Sequence, residues 1–86
     1  IRDISPRAPV HLLVIPVLHI TRLVDLNIQD THILGGMLKV AVDMAQRENI
    51  SDSGYRLVVN QGDNAGQVVP HLHLHILGAK SLAEMG

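Results

Sequence analysis

His71-Leu72-His73-Leu74-His75-Ile76-Leu77 places a histidine at every second position and an aliphatic residue between each pair. In an extended chain successive side chains leave on opposite faces, and residues two apart share a face at roughly 6.5–7 Å spacing. This stretch therefore reads as a strand. Leu72, Leu74 and Ile76 form the face that packs inward under a helix, while His71, His73 and His75 form the other. Polar sheet faces usually mix Thr, Ser, Lys and Glu, so three histidines in a row ask for an explanation. An exposed polar face is the plainest reading. A metal site is the second, since two histidines at i and i+2 reach one zinc ion, with a further His or carboxylate completing a catalytic set. Catalysis by imidazole, as nucleophile or general acid/base, is the third. A neutral imidazole is abundant near pH 7 because its unperturbed pKa is about 6.5. If one ring nitrogen gives its proton to a backbone carbonyl, the other presents a free lone pair. Spacing alone does not choose between the last two readings.

Working outward, Tyr55 to Asn60 alternates imperfectly as a strand does, and Gln61 to Gln67 is a turn-rich loop with Gly62 and Gly66. Val10 to Ile15 is β-branched and apolar between Pro9 and Pro16, which marks a buried strand. Ile1 to Ile4 reads as the end of another strand, followed by a turn whose Pro6 and Pro9 exclude helix. His19 to Val24 is expected to form a short helical turn. One main helix is expected over about 28–48, with Asn27 as N-cap and Asp30 in its first turn. Leu34, Met37, Leu38, Ala41, Met44 and Ala45 supply its apolar face, and Gly35-Gly36 a place for close packing. The order predicts an α+β domain whose strands pair through hairpins, with the helix on one face.

The 86 residues suffice for one domain. A chain of this size buries only roughly 60% or slightly more of its unfolded surface, so a partner subunit would add stability. The net charge of −1, without a basic cluster, argues against a nucleic acid polymer and allows a single nucleotide. No apolar run approaches the ~20 residues that span a membrane. The absence of cysteine removes disulfides, Cys-ligated zinc and thiol nucleophiles, and suits a reducing compartment such as the cytoplasm. Organelle targeting stays open, because the chain starts at Ile1 in mid-segment. Tyr55 is the sole aromatic residue, so a base pocket here is aliphatic.

The histidine block, together with 3–16 (Asp-Ile-Ser-Pro-Arg-Ala-Pro-Val-His-Leu-Leu-Val-Ile-Pro), Gly54-Tyr55-Arg56, Val59-Asn60 and Ala65-Gly66-Gln67, resembles the histidine triad (HIT) superfamily, in particular its Hint branch of nucleoside phosphoramidases. The resemblance runs over nearly all of 1–86, as a single HIT-like domain. It implies a mostly antiparallel sheet with helices, paired into a homodimer. It implies His73 as the nucleophile that forms a covalent nucleotidyl-histidine, supported by His71 and His75, with His11 completing the cluster. Asp3 matches the position that binds the ribose hydroxyls, and Ile4 and Leu13 the base pocket. Asn60, Gly66, Gln67 and Val68 match the loop around ribose and α-phosphate. The substrate is then an AMP-like purine nucleotide, and the scheme needs no metal or organic cofactor. Fhit-like dinucleotide hydrolysis, a nucleotide-binding module without turnover and a His-ligated metal site are the alternatives.

Each residue also has a structural reading. His11 suits a hydrogen-bonded core position, Asp3 a turn cap, and 60–67 an ordinary connection. His19 and His32 match no catalytic position and are expected at the surface. Two departures stand out. Val68 occupies a position where this branch commonly carries Ser, and the tail Lys80–Gly86 lacks the family's Trp-Pro-Pro-Gly ending. The N-terminal part of the family domain, with further strands, a helix and part of the base pocket, is expected to lie before Ile1.

Overall fold

The computed structural model describes residues 10–79. The expected strand at 1–4, the turn after it, Asp3, Ile4 and the tail 80–86 lie outside the described residues. Three strands, β1 (Val10–Val14), β2 (Tyr55–Val58) and β3 (Leu74–Gly78), form an antiparallel sheet in the order β1-β3-β2. Among the described residues the one α-helix is α1 (His32–Arg47), which follows two 3-10 turns at Leu23–Asp25 and Ile28–Asp30. This is the α+β arrangement expected, and among the described residues no tight turn joins two paired strands. β1 pairs with the last strand across the whole helix, and β2 reaches β3 through the long 59–73 connection.

The core forms where the aliphatic faces meet. Leu12 and Val14 of β1, Leu74 and Ile76 of β3, and Met37, Ala41 and Ala45 of α1 are buried together with Ile20, Ile50 and Leu72. The small Ala41 and Ala45, both fully buried, let the helix backbone approach the sheet closely. Tyr55 packs against the edge of this core.

The helix begins at His32 rather than near Ile28. Ile28 is exposed and gives a longer helix nothing to bury, whereas the packed face starts with Ile33 and Leu34. Asn27 precedes only the 3-10 turn and makes no side-chain cap bond; Thr31 holds the N-cap position of α1. The C-terminus closes as a Schellman motif. Ile50 N–H donates to the Ala45 carbonyl and Asn49 N–H to that of Gln46, with Asn49 at φ 59°. Leu38, expected on the inner face, stands half-exposed, and Gly35 and Gly36 meet no neighbouring atom that an added Cβ would touch. Their close-packing role is absent within the described residues. Among those residues, no helix is long and apolar enough to cross a membrane.

The candidate active site

β3 starts at Leu74, so His71 and His73 precede the strand instead of lying within it. The alternation nevertheless continues through the approach: Leu72, Leu74 and Ile76 are buried while His71, His73 and His75 are half-buried. The histidine face predicted from the periodicity is therefore present. Pairing register extends it across the sheet. Leu13 lies opposite His75 and His11 opposite Leu77, so His11, Leu13 and His75 share one side, with Arg56 and Val58 of β2 beside them.

His73 Nδ1 lies 2.8 Å from the backbone oxygen of His71. The carbonyl only accepts, so Nδ1 carries the proton and Nε2 is left with its lone pair. Nε2 has no partner among the described residues. The His75 ring sits edge-on to that of His73, centroids 4.9 Å apart. On its other side His75 Nδ1 is 2.8 Å from Nε2 of His11, which is only 5% exposed. Three of the four candidate catalytic rings thus form a continuous row. The His71 ring turns elsewhere: its Nε2 donates to the Pro16 carbonyl at 3.3 Å, and His19 packs against it edge-to-face at 4.7 Å. What His71 delivers to His73 is its backbone oxygen. His19 is exposed as expected, yet this ring contact was not legible from its position in the sequence.

The loop before the histidines is stitched to residues 20–23. Leu72 N–H donates to the Ile20 carbonyl, Thr21 Oγ1 to that of Pro70, and Leu23 N–H to Gln61 Oε1. Gln67 is the central staple. Its Oε1 accepts from Gly62 N–H at 2.8 Å, and its Nε2 donates to the Thr21 carbonyl at 3.0 Å and to that of Val69. This side chain holds the loop together. Gly66 takes the left-handed conformation, φ 80°, that a residue with a Cβ resists. Its N–H donates to the Asp63 carbonyl and that of Gln67 to Gly62, so neither is open to an anion. The N–H groups of Val68 and Val69 have no partner among the described residues and are the available donors. The Asn60 amide is likewise unpartnered there. Val68 itself is 89% exposed and brings no hydroxyl.

Among the described residues, no three His, Asp or Glu side chains converge as a metal ion requires. In the row of rings, His11 and His75 direct nitrogens at each other.

The chain and its fold have known relatives. The HIT domain family model matches residues 1–82, and the chain belongs to that family. The purine nucleoside phosphoramidase of Escherichia coli K12 is 43% identical over 84 residues, which span 98% of this chain and 71% of the relative. Among solved structures, a HIT family hydrolase from Legionella pneumophila superposes with a TM-score of 0.92 at 46% identity, covering 95% of this chain and 73% of that one. A histidine triad protein from Clostridium difficile gives 0.94 at 34% identity, covering 99% and 74%. The α+β fold with its single main helix is the HIT-type fold.

Proposed function

We propose that the protein is a nucleotide-binding hydrolase that cleaves nucleoside phosphoramidates or related nucleotide esters through a covalent nucleotidyl-histidine on His73. One observation carries this reading: the 2.8 Å bond from His73 Nδ1 to the His71 carbonyl, which leaves Nε2 as the lone pair of the site. Nε2 attacks the α-phosphorus in line. The Nε2–P bond forms as the P–N bond to the leaving amine breaks, and the amine departs with a proton from the adjoining imidazole row. Water then attacks phosphorus and gives a proton to the imidazole row, replacing the one the amine took; the Nε2–P bond breaks, and the nucleoside monophosphate leaves with His73 restored. Donors already in place stabilise charge developing on the phosphoryl oxygens without reorganisation. The free N–H groups of Val68 and Val69 suit that task.

Leu13 beside His75 fits an aliphatic wall for the base. Asp3 and Ile4 remain proposed ribose and base contacts on the family resemblance. A purine, AMP-like substrate follows the Escherichia coli relative. A homodimer belongs to the same reading: Gly35, Leu38 and Val42 form an outward row on α1, with Leu38 and Val42 exposed apolar residues that a second copy would cover.

The hydroxyl-free, exposed Val68 favours one second reading, a module that binds nucleotide without turnover. An assay comparing adenosine 5′-phosphoramidates of simple amines with a diadenosine polyphosphate separates the possibilities. AMP released at least about tenfold faster from the phosphoramidates, a gap of about 1.4 kcal/mol in barrier, supports the proposal. Preference for the dinucleotide moves the activity to the Fhit-like class. Tight nucleotide binding with no product supports the binding module.

A further inference from the structure

The carbonyl that sets the His73 tautomer belongs to the peptide group joining His71 and Leu72. The same peptide group is held from its other side, because its N–H, that of Leu72, donates to the carbonyl of Ile20. A trans peptide points its C=O and N–H in opposite directions. Ile20 therefore grips one end of the unit whose other end grips His73. Hydrogen bonds in such a chain polarise one another, so the Ile20 bond makes the His71 oxygen a better acceptor for His73 Nδ1–H. The residue next to Ile20 on this gripping segment is His19, whose ring meets the His71 ring edge-to-face at 4.7 Å. The His71 ring is tethered a second time by its Nε2 to the Pro16 carbonyl, a long bond of 3.3 Å. Residues 16–20 thus hold residue 71 by its ring and residue 72 by its N–H.

We infer that His19 is a positioning residue for His73, acting through His71: its ring contact keeps the 71–72 peptide oriented so that His73 stays in the Nδ1–H tautomer with Nε2 free. The inference rests on the reading of His73 as the nucleophile. His19 itself is exposed and forms no hydrogen bond among the described residues, so its contribution comes from the ring contact rather than from a proton. Phenylalanine keeps an aromatic ring at this position and alanine does not, which separates the contact from titration.

The test records long-range 15N–1H correlations of the His73 ring, with kcat and KM, in wild type, His19→Ala and His19→Phe. A pH of about 8 keeps ordinary imidazoles neutral. In wild type His73 shows the Nδ1–H tautomer alone. His19→Ala is expected to give mixed tautomers and a kcat lower by about tenfold, with KM within about twofold, as slight misplacement of a reacting group produces. His19→Phe is expected to restore the single tautomer and a kcat within about threefold of wild type. A pure Nδ1–H tautomer in His19→Ala, or a loss in His19→Phe as large as in His19→Ala, overturns the inference. If turnover survives His73→Ala, the nucleophile reading fails. The tautomer spectra still decide whether His19 positions the ring.

Discussion

Nε2 of His11 and Nδ1 of His75 lie 2.8 Å apart, joining β1 to β3 through two imidazoles that share a single N–H. His11 is opposite Leu77 in the register, so His75 is its diagonal neighbour on the same face. The bond fixes the plane of His75, and His75 in turn stands edge-on to His73. A buried histidine on β1 thereby orients a ring beside the proposed nucleophile.

Replacing His11 with Leu fills a similar volume but removes this partner of His75. A net cost of about 1–2 kcal/mol is expected, as for other buried hydrogen bonds. We also expect kcat to fall by about tenfold, which corresponds to about 1.4 kcal/mol of barrier. Urea unfolding and steady-state kinetics read the two effects. Unchanged kcat would show that His75 needs no support from His11.

Gln67→Ala removes the bonds to Gly62, Thr21 and Val69 together. Partial exposure limits the loss to about 1–3 kcal/mol. Because the loop carries the free N–H groups of Val68 and Val69, KM is expected to rise several-fold. Thermal unfolding and a KM measurement check this, and a variant with wild-type values would show that the loop holds itself.

Gly78 lies under Ile50: a Cβ there would sit 2.7 Å from Ile50 Cδ1 and 3.3 Å from its Cβ. Gly78→Ala should destabilise by about 1–3 kcal/mol through overpacking. Ile50→Val, which deletes the Cδ1 atom, should recover part of that loss in the double variant. Additive losses in the cycle would contradict the proposed clash.

Leu38→Glu places a charge on the outward row of α1, where Leu38 is half-exposed. Sedimentation is expected to show a dimer for the parent chain and a monomer for the variant. A dimer in both would move the interface away from this helix face.

Much of this was legible in the sequence because period-two patterning reports faces directly. The split of 71–77 into a histidine side and an aliphatic side survives even though the strand proper starts at Leu74. The α1 core residues Met37, Ala41 and Ala45 followed from helical spacing. Spacing does not show where packing runs out: helical periodicity alone extends the helix to Ile28, which has nothing to bury, and turns Leu38 inward, where the fold leaves it half-exposed. Long-range pairing was hidden as well. Only the fold sets β1 against β3, brings His11 to His75, and lays His19 on His71. Gln67 is expected beside the nucleotide only through the family resemblance. Its three loop bonds depend on where residue 21 lies, which local sequence does not encode.

The most direct test of the central claim is intact-mass analysis after brief mixing of the protein with an adenosine 5′-phosphoramidate, in parallel with His73→Ala. The account predicts a transient adduct of one adenylyl group, mapped to His73 by peptide sequencing and absent from the variant, whose turnover is lost. Turnover that persists in His73→Ala, or an adduct mapped to another residue, would contradict it.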